Sequence, residues 1–266
     1  MQDLLGYQKK RVTVTGAASG MGQAVARALV DLGAEVYAFD VKEVTVPVRQ
    51  FIKTDLKNKD SVIAAAKQTP EDLYGVFNCA GLPGPPFSNL DTALVNFAGH
   101  RLLTETLLPK IQAGGAIAFI ASTAGLGWKK RLQSTNELLA TRGFDEARAW
   151  LEAHPRINDG YIFSKECLIV YTMTRAEDLG KKNIRINCLS PAPTETPMMK
   201  DFHAAWGKEL IDMYRAPCGR YATPEEMAEP LIFLNSNMAR FVSGQNLIVD
   251  FGYQAAVDIG QKPSLL

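Results

Sequence analysis

The sequence predicts a doubly wound α/β domain: a mainly parallel seven-stranded sheet with helices on both faces. Two observations carry this expectation. Short β-branched and apolar runs alternate with longer stretches of helical period from Arg11 almost to the end of the chain. The first of these runs passes directly into a glycine-rich turn and a helix, the opening of a β-turn-α-β unit. With 266 residues, 47% of them apolar and 21% charged, the chain can bury a substantial core. No repeat, low-complexity tract or interdomain linker interrupts it, so the expectation is one domain over residues 1–266.

Taken in order, Arg11–Thr15 is the first strand. The turn Gly16-Ala17-Ala18-Ser19-Gly20-Met21-Gly22 follows, then an apolar helical pattern from Ala24 to Leu32, then a second strand from Glu35 to Phe39 that ends at Asp40. Gly16 allows a tight turn, Gly20 lets backbone approach a pyrophosphate, and Gly22 lets the helix pack close to the strand. The free N–H groups and positive dipole end of that helix suit phosphates. Asp40 can accept hydrogen bonds from ribose hydroxyls and would repel a 2′-phosphate. Ser19, not a basic residue, precedes Gly20, so the turn favours NAD over NADP, with Lys42 close enough to soften the preference.

Phe51–Thr54 reads as a third strand ending at Asp55, Lys59–Gln68 as an amphipathic helix, and Leu73–Phe77 as a fourth strand leading into Asn78-Cys79-Ala80-Gly81. The stiff loop Leu82-Pro83-Gly84-Pro85-Pro86 either lines a substrate mouth or merely connects. One long helix is expected from Leu90 to Ile111, carrying Asn96. Ala116–Ile120 is an apolar strand buried on both faces, followed by Ser122. Residues 126–158 hold Trp128, Lys129-Lys130-Arg131 and a helical run from Asp145 to Ala153. Their charges are expected to form a solvated face, and the segment is placed to cap a pocket or alter subunit packing.

A helix begins near Tyr161. Tyr161 and Lys165 lie four apart and share one face. A phenol titrates near pH ~10; a neighbouring ammonium favours phenolate and makes it a usable base toward an alcohol. By itself the pair far more often marks an ordinary helix with a half-buried Tyr and an exposed Lys. Ile184–Leu189 is the sixth strand and Asn246–Asp250 the seventh. Between them, Met198, Phe202 and Trp206, with Met199 beside them, form an apolar stripe that is either core or a substrate lid. Thr223-Pro224-Glu225-Glu226 marks a helix start.

The Thr-Gly-x-x-x-Gly-x-Gly spacing at Thr15–Gly22, together with Tyr161-x-x-x-Lys165, resembles the short-chain dehydrogenase/reductase family, whose fold is Rossmann-type. The resemblance covers Val12 to about Gly252. It implies that Tyr161 is the base and that Lys165 lowers its pKa and contacts the nicotinamide ribose. It further implies that Ser122 steadies the substrate oxygen, with Thr123 one position off the match, and that Asn96 holds a relay water. Gly16, Ser19, Gly20, Met21, Gly22, Asp40, Asp55, Leu56, Ala80, Gly81, Pro191, Thr194 and Thr196 are implied at the cofactor, with Asn78 bridging strands beside it. Cys79 replaces the second Asn of the family's Asn-Asn-Ala-Gly, and Ala192 replaces a Gly. Leu82, Trp128, Met198, Met199, Phe202 and Trp206 are the candidate substrate pocket.

Ser122 and Tyr161 stand 39 positions apart, further than in most of the family. Through Gly127-Trp128, Arg131-Leu132-Gln133, Gly143-Phe144 and Ala149-Trp150-Leu151 the chain resembles the family's coniferyl-alcohol dehydrogenases, with the 3α-hydroxysteroid dehydrogenase/carbonyl reductases as runner-up. The implied activity is NAD-dependent interconversion of a hydrophobic alcohol and its carbonyl, by a homodimer or homotetramer. An NAD-binding scaffold without activity is the alternative of another class, at odds with four intact catalytic positions.

The net charge of +1 gives no footprint for nucleic acid. No 18-residue apolar run suggests a membrane span, and the N-terminus carries no apolar signal core. Cys79, Cys167, Cys188 and Cys218 form no knuckle or redox pair, which suits a reduced, cytoplasmic setting. His100, His154 and His203 are scattered, suggest no metal site, and read as structural or surface residues.

Overall fold

The computed structural model describes residues 3–264. Its strands are β1 (Arg11–Thr15), β2 (Glu35–Asp40), β3 (Gln50–Lys53), β4 (Leu73–Asn78), β5 (Ile111–Ile120), β6 (Arg185–Pro191) and β7 (Asn246–Val249). They form one sheet in the order β3-β2-β1-β4-β5-β6-β7, and every pairing is parallel. From β1 the chain steps outward to β2 and β3, then returns to place β4 on the other side of β1. That reversal opens a crevice beyond the carboxyl ends of β1 and β4.

The helices are α1 (Gly20–Asp31), α2 (Lys59–Gln68), α3 (Asn89–Ala93), α4 (His100–Leu107), α5 (Leu132–Leu139), α6 (Gly143–Ala153), α7 (Tyr161–Gly180), α8 (Met199–Trp206), α9 (Lys208–Met213), α10 (Pro224–Asn235) and α11 (Tyr253–Asp258). Successive strand residues point to opposite faces, so the sheet feeds two cores. Ile117 and Phe119 join Phe97, Leu103, Phe163 and Ile169 on the α4–α7 face. Ala118 and Ile120 join Val25, Leu29 and Leu231 on the α1–α10 face. The α10 start matches its sequence signature: Thr223 and Glu226 form a reciprocal capping box, with Pro224 at the first position.

The long helix expected from Leu90 to Ile111 is interrupted. After α3 comes a π-helical turn, Leu94–Gly99, then α4 and a 3-10 turn, Leu108–Lys110, carrying Pro109. Ile111 already belongs to β5. π turns are rare single-turn interruptions of α-helices, and the apolar spacing here does not point to one.

The inserted stretch is more structured than expected. Thr123–Arg131 winds in 3-10 turns, α5 follows, and α6 begins at Gly143. Leu138, Phe144, Ala147 and Leu151 bury themselves in the core beside α4 and α7. Arg131 corrects the expectation of a solvated charged face. Its Nε donates to Glu166 Oε2 at 2.7 Å, its Nη1 to Asp159 Oδ2 at 2.6 Å and to the Ile157 carbonyl at 3.2 Å, and its guanidinium lies 5.3 Å from the Phe163 ring centroid. From α4, Arg101 holds the far end of α5 through the Thr141 carbonyl at 2.6 Å.

Glu166 is a buried carboxylate, its side chain 4% exposed, and Arg131 neutralises it. Burial raises its pKa and the guanidinium opposes that shift. Arg131→Ala leaves the carboxylate buried and unpaired, and we expect a loss of about 3 kcal/mol in a urea titration. Glu166→Gln in that background should recover part of the loss.

Candidate functional site

A groove of about 510 Å³ follows the crevice from Asp40, Lys42 and Asp55 past Gly16–Gly22 to Gly81, Leu82 and Thr196–Met198. Gly16 has φ +68°, and a Cβ there would stand 2.7 Å from Ala80 Cα; a Cβ on Gly22 would stand 2.2 Å from the Gly16 carbonyl oxygen. No larger residue fits either approach. Ser19 at the α1 N-cap is extended and its side chain caps nothing, and the first turn of α1 carries no acid. The leading N–H groups thus meet the groove without a side-chain anion, as a phosphate site requires.

Asp40 Oδ2 accepts from the Ala18 N–H at 3.0 Å and Oδ1 from the Lys42 N–H at 2.9 Å. Each oxygen keeps acceptor capacity for a hydroxyl. Asp55 Oδ1 takes the Lys57 N–H at 2.9 Å. The cradle, the uncapped helix end and the carboxylate fit a dinucleotide. Gly16, Ser19, Gly20, Met21, Gly22, Asp40, Asp55, Leu56, Ala80, Gly81 and Thr196 all line the groove, as do Leu82 and Met198. Sequence reasoning missed Val41, Phe87 and Val95. Val41 was findable as the neighbour of Asp40; nothing local marks the other two.

Three expected cofactor positions are placed elsewhere. Asn78 is buried and its Nδ2 donates to Thr104 Oγ1 on α4 at 3.2 Å, so it ties strand to helix rather than strand to strand. Thr194 turns its hydroxyl onto the Ala192 carbonyl at 2.8 Å and bridges Ala222. The Pro191 carbonyl accepts from Thr123 Oγ1 at 3.2 Å. β6 runs two residues past its expected end and keeps Pro191 in the sheet.

The Ser122, Tyr161 and Lys165 side chains converge beside Gly81. Ser122 follows β5 and accepts the Ala124 N–H at 3.1 Å; its side chain also hydrogen-bonds Tyr161. Lys165, 4% exposed, donates from Nζ to the Ile120 carbonyl at 2.8 Å and sits 5.6 Å from the Tyr161 ring centroid. A methyl built on Gly81 would lie 3.9 Å from that Nζ. Asn96, in the π turn, commits its whole side chain. Oδ1 accepts from the Leu82 N–H at 2.7 Å, and Nδ2 donates to the Leu82 carbonyl at 3.0 Å and to Ser164 Oγ at 3.2 Å.

The electrostatics differ from the expected arrangement. Burial raises the Tyr161 pKa above its usual value, and the Ser122 hydrogen bond pulls the other way. The same burial brings Lys165 down to about 8. The helical spacing puts both residues on one face, but the amine turns onto a strand carbonyl. In this geometry the Ser122 hydroxyl is one group that favours phenolate.

Phe202 and Trp206 on α8 lie over Tyr161. Their ring centroids are 5.1 and 5.9 Å from the phenol ring and 5.1 Å from each other. Met199 is buried as core, so the apolar stripe divides between the two roles foreseen for it. Trp128 is not brought to the groove: it packs against the α4–α7 core with Lys129 over its ring. On another side of α8, His203 Nε2 is 3.3 Å from the Tyr221 hydroxyl, which donates to Asp212 on α9.

Among the described residues, no cluster of His, Cys, Asp or Glu is placed to hold a metal ion, and no helix is long and apolar enough to cross a membrane. Residues 10–132 match the family model described as short chain dehydrogenase, and residues 149–254 match one described as enoyl-(acyl carrier protein) reductase. The chain is 34% identical over 245 residues to a coniferyl-alcohol dehydrogenase of Pseudomonas sp. (strain HR199 / DSM 7063), covering 91% of this chain and 96% of that one. It is 27% identical over 252 residues to a 3-alpha-hydroxysteroid dehydrogenase/carbonyl reductase of Comamonas testosteroni, covering 92% and 97%. Among solved structures, the 3-alpha-hydroxysteroid dehydrogenase of Pseudomonas sp. B-0831 complexed with NADH superposes with a TM-score of 0.78 at 25% identity, over 96% of this chain and all of that one.

The depressed Lys165 pKa has a signed consequence. The unfolded chain holds this proton up to the ordinary value of 10.5, whereas the folded chain releases it near 8. The penalty of burying the charge is therefore full below pH 8 and relieved as the pH rises from 8 to 10.5. Denaturant titrations of wild type and Lys165→Met should converge across that window by about 1.4 kcal/mol per pH unit. Parallel stability curves would show that the amine is not the buried charge.

Proposed function

The chain belongs to the short-chain dehydrogenase/reductase family of nicotinamide-dependent oxidoreductases, and on that premise we propose that it interconverts a hydrophobic alcohol and its carbonyl compound with NAD. The observation that carries the reading is the convergence of Ser122, Tyr161 and Lys165 at the Gly81 end of the groove, beneath the Phe202–Trp206 pair.

The uncapped start of α1 would hold the phosphates, Asp40 the adenosine ribose, Asp55-Leu56 the adenine, and Gly81 with Thr196 the far end. Bound there, the nicotinamide supplies the two-electron acceptor or donor. Ser122 holds the alcohol oxygen. Tyr161 takes the hydroxyl proton in oxidation and returns it in reduction. Lys165 keeps a positive charge in a dry site, where its field favours phenolate most strongly. Asn96 pins Leu82 through its side chain and leaves its main-chain carbonyl to a proton relay. The rings of α8 exclude water and offer a flat apolar face to the substrate.

The Asp40 carboxylate and the Ser19 hydroxyl support NAD over NADP, because a 2′-phosphate beside Asp40 meets like charge with no basic partner at Ser19. The aromatic lid and the 34% identical relative support an aromatic or allylic, coniferyl-type alcohol. The NADH-bound structural neighbour supports a second reading, a steroid 3α-hydroxyl or related ketone. Four free cysteines fit a reducing cytoplasm. A homodimer or homotetramer of one-domain subunits completes the proposal.

NADH should bind more tightly than NADPH in a fluorescence titration; equal or reversed affinities exclude the proposed role of Asp40. Tyr161→Phe should bind NADH like wild type yet lose nearly all turnover in a panel that includes coniferyl alcohol and androsterone. Turnover retained in that variant sinks the assignment of the base. Tight NADH binding by wild type with no turnover of any alcohol or carbonyl would support a non-catalytic binder instead.

A further inference from the structure

His100 is 1% exposed and bridges two parts of the site. Its Nε2 lies 3.1 Å from Thr15 Oγ1, at the end of β1, and its Nδ1 lies 3.3 Å from the main-chain oxygen of Asn96. The proton positions follow by elimination. Thr15 Oγ1 already accepts the N–H groups of Cys79 at 2.9 Å and Ala80 at 3.0 Å. Both lone pairs are used, so the hydroxyl must donate its one proton to Nε2. Nε2 is then bare, Nδ1 carries the hydrogen, and Nδ1–H donates to the Asn96 carbonyl.

The π turn explains the need for that donor. In an α-helix the His100 backbone N–H would bond to the Asn96 carbonyl four residues back. Here it bonds to the Phe97 carbonyl instead, and the His100 side chain serves the carbonyl that its own backbone has left.

We propose that His100, fixed as the neutral Nδ1–H tautomer, is a positioning residue that locks the Asn96 carbonyl to the Cys79-Ala80 turn on the cofactor side. The proposal rests on the dehydrogenase reading for its purpose, because one imidazole then aligns the relay carbonyl with the turn that receives the nicotinamide half. Burial and the Lys165 ammonium on α7 both oppose protonation and bring the ring pKa down to about 3. The nearby Cys79 thiol is pushed up by burial and stays neutral. A cationic ring would turn Nε2 into a donor facing a hydroxyl whose acceptor sites are full.

The test uses the full chain labelled with 15N-histidine and a long-range 1H–15N spectrum, with the His100 signals identified by their loss in His100→Phe. The expected spectrum is the Nδ1–H tautomer, unchanged between pH 5 and 8, a range set by the ordinary histidine pKa. The Nε2–H tautomer, or an imidazolium in that range, overturns the proposal. NADH titration supplies a second readout. His100→Phe should weaken binding about tenfold, and His100→Gln, which keeps a donor and an acceptor, should recover most of it. Unchanged NADH affinity in folded His100→Phe also overturns it. Should His100→Phe fail to fold, His100→Gln identifies the signals and the wild-type spectrum still decides. None of these readouts uses turnover, so they fail or succeed separately from the assignment of the reaction.

Discussion

A primary amine held almost wholly out of water is the constraint around which the site is built. Lys165 has given up most of its solvation, and the Ile120 carbonyl at 2.8 Å is the partner the structure gives it in return. Such a group is costly to bury and readily changes protonation. It needs a rigid strand end for its acceptor, a small residue at Gly81 to leave it room, and a helix that begins at Tyr161 so that phenol and amine share a face. The parallel sheet meets the first two needs, because the adjacent carboxyl ends of β4 and β5 supply the turn and the carbonyl.

Much of this was legible before any coordinates. The unit from Arg11 to Asp40 declared itself because each signal is local: strand propensity, glycines at fixed offsets, an acid at the strand end. The bounds of α2 and the capping box at Thr223 were equally plain. What escaped depends on contacts distant in sequence. The π turn around Asn96 carries no local mark in the sequence. Arg131 looks like one of three surface cations until Glu166 and Asp159 come to it from α7 and the turn before it. Thr194 fits the resemblance by position, but its hydroxyl turns onto the Ala192 carbonyl. His100 is a scattered histidine in the sequence, and only the fold brings Thr15 to it.

The aromatic pair of α8 has polar neighbours on its other side. Phe202 and Trp206 face the phenol, while Tyr221, Asp212, Lys208 and Arg215 form a charged and hydrogen-bonded cluster behind α8 and α9. These polar contacts are largely open to solvent, and such contacts contribute little each. The aromatic stack is the tighter hold. With Trp206 36% exposed, that stack is also reachable from outside.

The topology carries a consequence for how the protein is made. The nucleotide turn sits at the head of α1, yet α1 packs against α10, some two hundred residues later in the chain. On the ribosome, the amino-terminal unit emerges with an apolar helix face whose partner has not been synthesised. Parallel sheets assembled from such distant pieces fold slowly and expose sticky surface while they wait. The dinucleotide cradle therefore firms up only when translation nears its end, so polypeptides truncated before Pro224 should be prey for chaperones and proteases rather than partial binders.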